Sequence, residues 1–175
     1  MINEIVSRFF TTSFQTIIIK LILTFLIVFL ELSLSQIDFF YYSSPLLFFT
    51  FIFLWTVEIG LLPFWVYFLI GLIFDLISWN HIGFFTFSIL CIVLILHFIN
   101  IELIKTTYLR KLIIFASLLI LFQTIQTLLF FLLYFTFPAL EVIIFQYFFT
   151  LAFYPIIMLL LIPIKNLVNV LAIQQ

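Results

Sequence analysis

Residues 68–83 read FLIGLIFDLISWNHIG, an apolar run that carries one glycine (Gly71), one carboxylate (Asp75) and a polar corner closing at Gly83. On a helix, Gly71, Asp75 and Ser78 stand at i, i+4 and i+7 and share one face. The other directions are mostly Leu, Ile and Phe. A carboxylate turned towards lipid is costly, so in a bilayer this stripe has to face protein or water. The stretch predicts a membrane-embedded helix packed through a small, polar face. It has the strongest claim in the chain to a specific role.

The rest of the sequence is built in the same way. Hydrophobic residues make up 67% and charged residues 7%, and the mean hydropathy is +1.48. Soluble domains carry about a quarter charged residues, so the expected class is an all-α integral membrane protein. The 175 residues leave room for roughly five to seven spans of about 20 residues each. The apolar runs are continuous and not alternating, which argues against a transmembrane barrel. A formal net charge of -1 gives no hint of nucleic acid. Cys91, the single cysteine, cannot form an internal disulfide. The 28 phenylalanines read as lipid-facing bulk and not as recognition surfaces. No cleavable signal is visible, because residues 1–15 hold charges and polar groups and no small-residue cleavage site follows.

Taken in order, the chain gives one membrane domain over residues 1–175 with six spans, at about 16–35, 45–59, 63–79, 84–99, 112–135 and 141–163. Residues 1–15 form an amphipathic entry, and Lys20 can snorkel from the first span. Tyr41 and Tyr42 suit an interface belt. Pro45 opens the second span, and Gly60 and Pro63 mark the turn into the third. The stretch 100–111, with Glu102, Lys105, Arg110 and Lys111, reads as a solvated loop. Phe137-Pro138 breaks the fifth span from the sixth, Pro155 lies inside the sixth, and Lys165 opens a short tail. With both termini on the cytoplasmic side, all six Lys and Arg residues fall inside. That asymmetry sets the expected orientation.

Asp75 is the acid most firmly inside a span. Three readings are open for it: a proton relay, an ion ligand, or a polar contact that fixes helix packing. Glu31 and Glu141 are the other acids near its level, and no basic residue is there to pair with it. Glu58 reads as a cap or a headgroup contact. Gln123, Gln126 and Thr127 form a polar stripe suited to interhelical hydrogen bonds. His81 and His97 are isolated, so no metal site is expected. The sequence holds no nucleophile–base pair, no phosphate loop and no catalytic carboxylate pair. Neither enzyme chemistry nor a cofactor is expected.

Ser44-Pro45-Leu-Leu, Leu54-Trp55, Gly71-Leu-Ile-Phe-Asp75-Leu-Ile-Ser78 and Ile82-Gly83 together resemble the MreD family of rod shape-determining inner-membrane proteins. Tyr154-Pro155 is similar to the aromatic-Pro of that family's last helix. Trp79 stands where members carry a glycine, and Ser44 where they carry a basic residue. The resemblance covers almost the whole chain, and Gly71, Asp75, Ser78, Gly83 and Pro155 are its motif residues. It implies a fold like the substrate-binding subunit (S-component) of energy-coupling-factor transporters and a multi-pass place in the bacterial cytoplasmic membrane. It also implies a non-enzymatic role in cell elongation, regulating cell shape and peptidoglycan synthesis. The partner would be MreC, a single-span periplasmic protein, with MreB filaments and a glycan polymerase–transpeptidase pair reached indirectly.

Two other classes compete. A vitamin-binding subunit of such a transporter needs polar residues converging at the outer face, where the sequence offers Asp38, Asn80, His81 and Glu141. It also needs an alanine-rich docking face, and the alanines here are sparse (Ala116, Ala139, Ala152, Ala172). A small carrier or channel needs a polar pathway, for which Asp75 and the Gln/Thr stripe are the candidates.

Overall fold

The computed structural model describes residues 25–37, 43–58, 60–78, 82–99 and 107–173, with side chains described as far as residue 162. The entry at 1–15, Arg8, Lys20, Asp38, the tyrosine pair, Trp79, Asn80, His81, Glu102, Lys105 and the Lys165 side chain lie outside the described residues. Six helices and no strand occur among those described: α1 (Phe25–Ser35), α2 (Leu47–Glu58), α3 (Phe64–Ile77), α4 (Phe84–Phe98), α5 (Tyr108–Tyr134) and α6 (Leu140–Ile173). The protein is all-α.

At its centre is α2, in which every residue from Leu47 to Val57 is buried. It is hydrophobic all round, as a helix enclosed by others must be. α6 packs against α2, α3 packs most closely with α4, and α5 joins α4 and α6. Phenylalanine fills the spaces between them. Phe48 and Phe74 stack at 4.9 Å, Phe74 meets Phe85 at 4.3 Å, and Phe49 meets Phe122 at 4.5 Å. The expectation of lipid-facing bulk therefore holds for only part of the set. Phe25, Phe29, Phe98 and Phe148 are exposed, whereas Phe48, Phe49, Phe53, Phe85, Phe115 and Phe122 form the core. Flat rings gain both burial and offset contacts where short helices leave wide gaps.

Two helices, Tyr108–Tyr134 and Leu140–Ile162, are long and apolar enough to cross a membrane. The others have 12 to 15 residues where fully described, short of the roughly 20 residues a span across a full hydrocarbon core takes. α3 begins after Pro63 and α5 ends at Phe135, whose positive φ of 55° stops the helix before Pro138.

Two boundaries differ from the sequence reading. α5 starts at Tyr108 and not near Leu112, so Arg110 and Lys111 are helical instead of part of a solvated loop. Both are good helix formers, and Lys111 is buried on an ion pair with Glu58. Glu58 is thus neither a simple cap nor a headgroup contact. α6 continues through Pro155 and Pro163 to Ile173, so the expected tail is helix. Proline removes one N–H and bends a helix without always ending it, and residues 164–173 hold no further proline or glycine.

Glu58 closes the C-terminal end of α2 and Lys111 sits in the first turn of α5, so each charge is at the unfavourable end of its own helix dipole. Their pairing offsets both penalties and ties the central helix to α5. Lys111→Met alone takes the ammonium away from a shielded carboxylate and should cost roughly 3 kcal/mol. Glu58→Gln combined with Lys111→Met should recover most of that loss. Thermal unfolding of the purified variants checks both.

Candidate functional site

α4 begins at Gly83, which occupies the N-cap position with φ 97° and supplies no side-chain cap. The first turn of a helix leaves its N–H groups without intrahelical partners. Here the partner comes from the preceding helix. Asp75, fully buried near the end of α3, accepts four hydrogen bonds from the start of α4. Its Oδ2 takes the N–H of Gly83 at 2.9 Å, the N–H of Thr86 at 3.1 Å and the hydroxyl of Thr86 at 2.6 Å. Its Oδ1 takes the N–H of Phe85 at 2.9 Å. The carboxylate stands at the unfavourable end of α3 and the favourable end of α4. Of the three readings open for Asp75, the geometry matches the packing contact, because its lone pairs are largely occupied by the chain's own donors.

Gly71 completes the clasp one turn earlier. A Cβ on Gly71 would lie 2.9 Å from the Cα of Thr86 and 3.0 Å from its Oγ1. The missing side chain is what lets α3 and α4 approach closely enough for Asp75 to reach the α4 amides. Gly71, Asp75 and Gly83 therefore meet around Thr86, a residue the sequence reading did not single out. Its signal was a threonine three residues after a glycine at the start of an apolar run. Ser78 does not join them, since its hydroxyl donates to the Phe74 carbonyl at 2.8 Å. Pro155 lies on α6, exposed, next to the buried Tyr154. The Tyr154 ring packs on Phe115 at 4.7 Å, and its hydroxyl has no hydrogen-bond partner among the described residues.

A second acid works like Asp75. Glu31, buried near the end of α1, accepts the N–H of Phe48 in the first turn of α2 at 2.7 Å. α6 holds the same end of α2, where Thr150 Oγ1 accepts the Leu46 N–H at 3.0 Å and Gln146 Nε2 donates to the Ser44 carbonyl at 3.0 Å. Within the expected polar stripe, Gln123 reaches across to the Ile143 carbonyl at 3.2 Å. Thr127 bonds back to its own helix at the Gln123 carbonyl. At the far end of α2, Thr56 shares a hydrogen bond of 2.9 Å with the Tyr67 hydroxyl, which also accepts the Leu62 N–H.

Among the described residues, no group of three His, Cys, Asp or Glu side chains is placed to hold a metal ion. Glu141 lies in the exposed first turn of α6. No protein-family model, curated protein or solved structure matches this chain.

Gly71→Ala forces a methyl group into the Thr86 backbone and should destabilise the fold by about 1–3 kcal/mol. Asp75→Ala strands three N–H groups, those of Phe85 and Thr86 buried and that of Gly83 half-buried, and should cost more, on the order of 3 kcal/mol. Asp75→Asn keeps one acceptor oxygen and should fall between Asp75→Ala and the wild type. Thermal unfolding in detergent ranks the three; a Gly71→Ala midpoint equal to wild type would contradict the close approach.

Proposed function

We propose that the protein is a non-enzymatic membrane scaffold of the MreD type. It would span the bacterial cytoplasmic membrane six times with both termini inside, and associate with an MreC-like periplasmic partner to regulate cell shape and peptidoglycan synthesis. The observation that carries this reading is the use made of the family-like motif. Asp75 takes the Gly83, Phe85 and Thr86 amides while Gly71 lies against the Thr86 backbone, which is what a packing motif requires and a proton or ion pathway does not. The distribution of polarity supports a membrane setting. The exposed side of α5 and α6 is a run of Leu, Ile and Phe, and the charged groups Glu31, Asp75 and Lys111 are inside. Soluble monomers rarely expose apolar patches beyond a few hundred Å². The short α2 is enclosed by protein and does not itself have to match the lipid thickness.

A second reading, a small-molecule-binding subunit like those of energy-coupling-factor transporters, is favoured by one feature. A cavity lies where α1 ends and α2 begins, and several of its walls are polar.

The test is detergent co-purification with an MreC-like protein produced in the same cells. A stoichiometric complex that survives washing is expected, and Asp75→Ala should lower its recovery several-fold. A folded protein that recovers no partner would overturn the scaffold reading.

A further inference from the structure

The cavity between α1, α2 and α3, of about 250 Å³, is lined by Glu31, Ser35, Ser44, Ser78, Gln126 and Gln146 among apolar neighbours. Its hydrogen-bonding character is one-sided. The Ser35 hydroxyl spends its single proton on the Leu32 carbonyl at 2.7 Å, and the Ser78 hydroxyl on the Phe74 carbonyl at 2.8 Å. Towards the cavity both oxygens are left to accept. An ionised Glu31 can only accept. Gln146 directs its amide N–H to the Ser44 carbonyl, and its oxygen, which accepts a long bond of 3.5 Å from Gln123 Nε2, keeps a second lone pair. The Gln126 side chain makes no hydrogen bond among the described residues, and its amide can turn its oxygen to the space.

Charge points the same way. Glu31 is 5% exposed, and among the described residues no Lys, Arg or His lines the cavity. A buried carboxyl group ionises readily only beside a positive charge, and here the wall supplies the acid without a described basic partner. The rings of Phe74 and Phe85 also border the space, and aromatic faces attract cations.

We propose that this cavity binds a primary ammonium group, carried by a small free amine or by a lipid headgroup. The ammonium donates its three N–H bonds to Glu31 and the serine and glutamine oxygens. The apolar wall takes the carbon next to it. This site is separate from the Asp75 clasp and does not depend on the scaffold reading, so loss of partner binding would leave it standing.

The probe for the free form is ethanolamine, added to the lipid-stripped full-length protein with sodium chloride at equal ionic strength as the control. Ethanolamine should raise the unfolding midpoint saturably, and choline, which has no N–H to donate, should bind at least tenfold more weakly. Ser35→Phe fills the space without touching the Glu31–Phe48 bond and should abolish the shift. Glu31→Gln keeps an acceptor for Phe48 and should weaken binding at least tenfold. Native mass spectrometry from nanodiscs identifies the other source. One phosphatidylethanolamine retained per chain, absent in Ser35→Phe and not replaced by phosphatidylcholine, assigns the site to the lipid headgroup. Equal binding of choline and ethanolamine, persistence of both signals in Ser35→Phe, or no binding of either amine source overturns the proposal.

Discussion

Three backbone N–H groups and one hydroxyl at the start of α4 converge on the carboxylate of Asp75. In an apolar setting those amides have no water to turn to, and each one left bare costs several kcal/mol. α4 brings no cap of its own, since Gly83 stands at that position. The α3–α4 arrangement therefore depends on an acid eight residues away in sequence from the nearest amide it holds. That acid in turn depends on Gly71 to let the two backbones come close. The glycine, the aspartate and the turn glycine form a single mechanical unit.

The device is used twice. Glu31 does for α2 what Asp75 does for α4, each acid standing near the end of one helix and capping the start of the next. Both lie where their own helix dipole disfavours them and where the following dipole favours them. Such placement makes sense only in the assembled hairpin, so the acids reward the native connection and penalise the isolated helices. The Glu58–Lys111 pair applies the same logic at the other end of α2. Among the described residues, Glu31, Asp75, Glu58 and Lys111 all stand where helices are joined.

Much of this could be read from the residues. The helical class followed from long apolar runs, and the turns at Pro63 and Pro138 from proline chemistry. The shared face of Gly71 and Asp75 followed from their spacing of four. What the sequence hid was mostly a matter of partners. Nothing local in residues 100–111 distinguishes a lysine exposed on a loop from one buried on Glu58, 53 positions earlier. Thr86 and Glu31 were ordinary until their contacts appeared, because capping across two helices leaves no signature within either one. Phenylalanine was ambiguous for a related reason, since the same ring suits lipid and core. Proline misled at α6, where the position of Pro163 suggested an end and the helix continued.

The hydrogen bonds at the two ends of sequence separation also set an order of events. The Asp75 clasp closes a loop of 8 to 11 residues, so the α3–α4 hairpin can lock as soon as both helices exist. The Leu46 amide, at the head of the central helix, waits for Thr150, 104 residues further along. Local contacts form quickly and distant ones slowly. During synthesis the core helix is therefore the last to be sealed, although it is among the first to be made. Until α6 arrives, the half-built bundle keeps one open seam at its centre, and it is there that a chaperone or insertase would find something to hold.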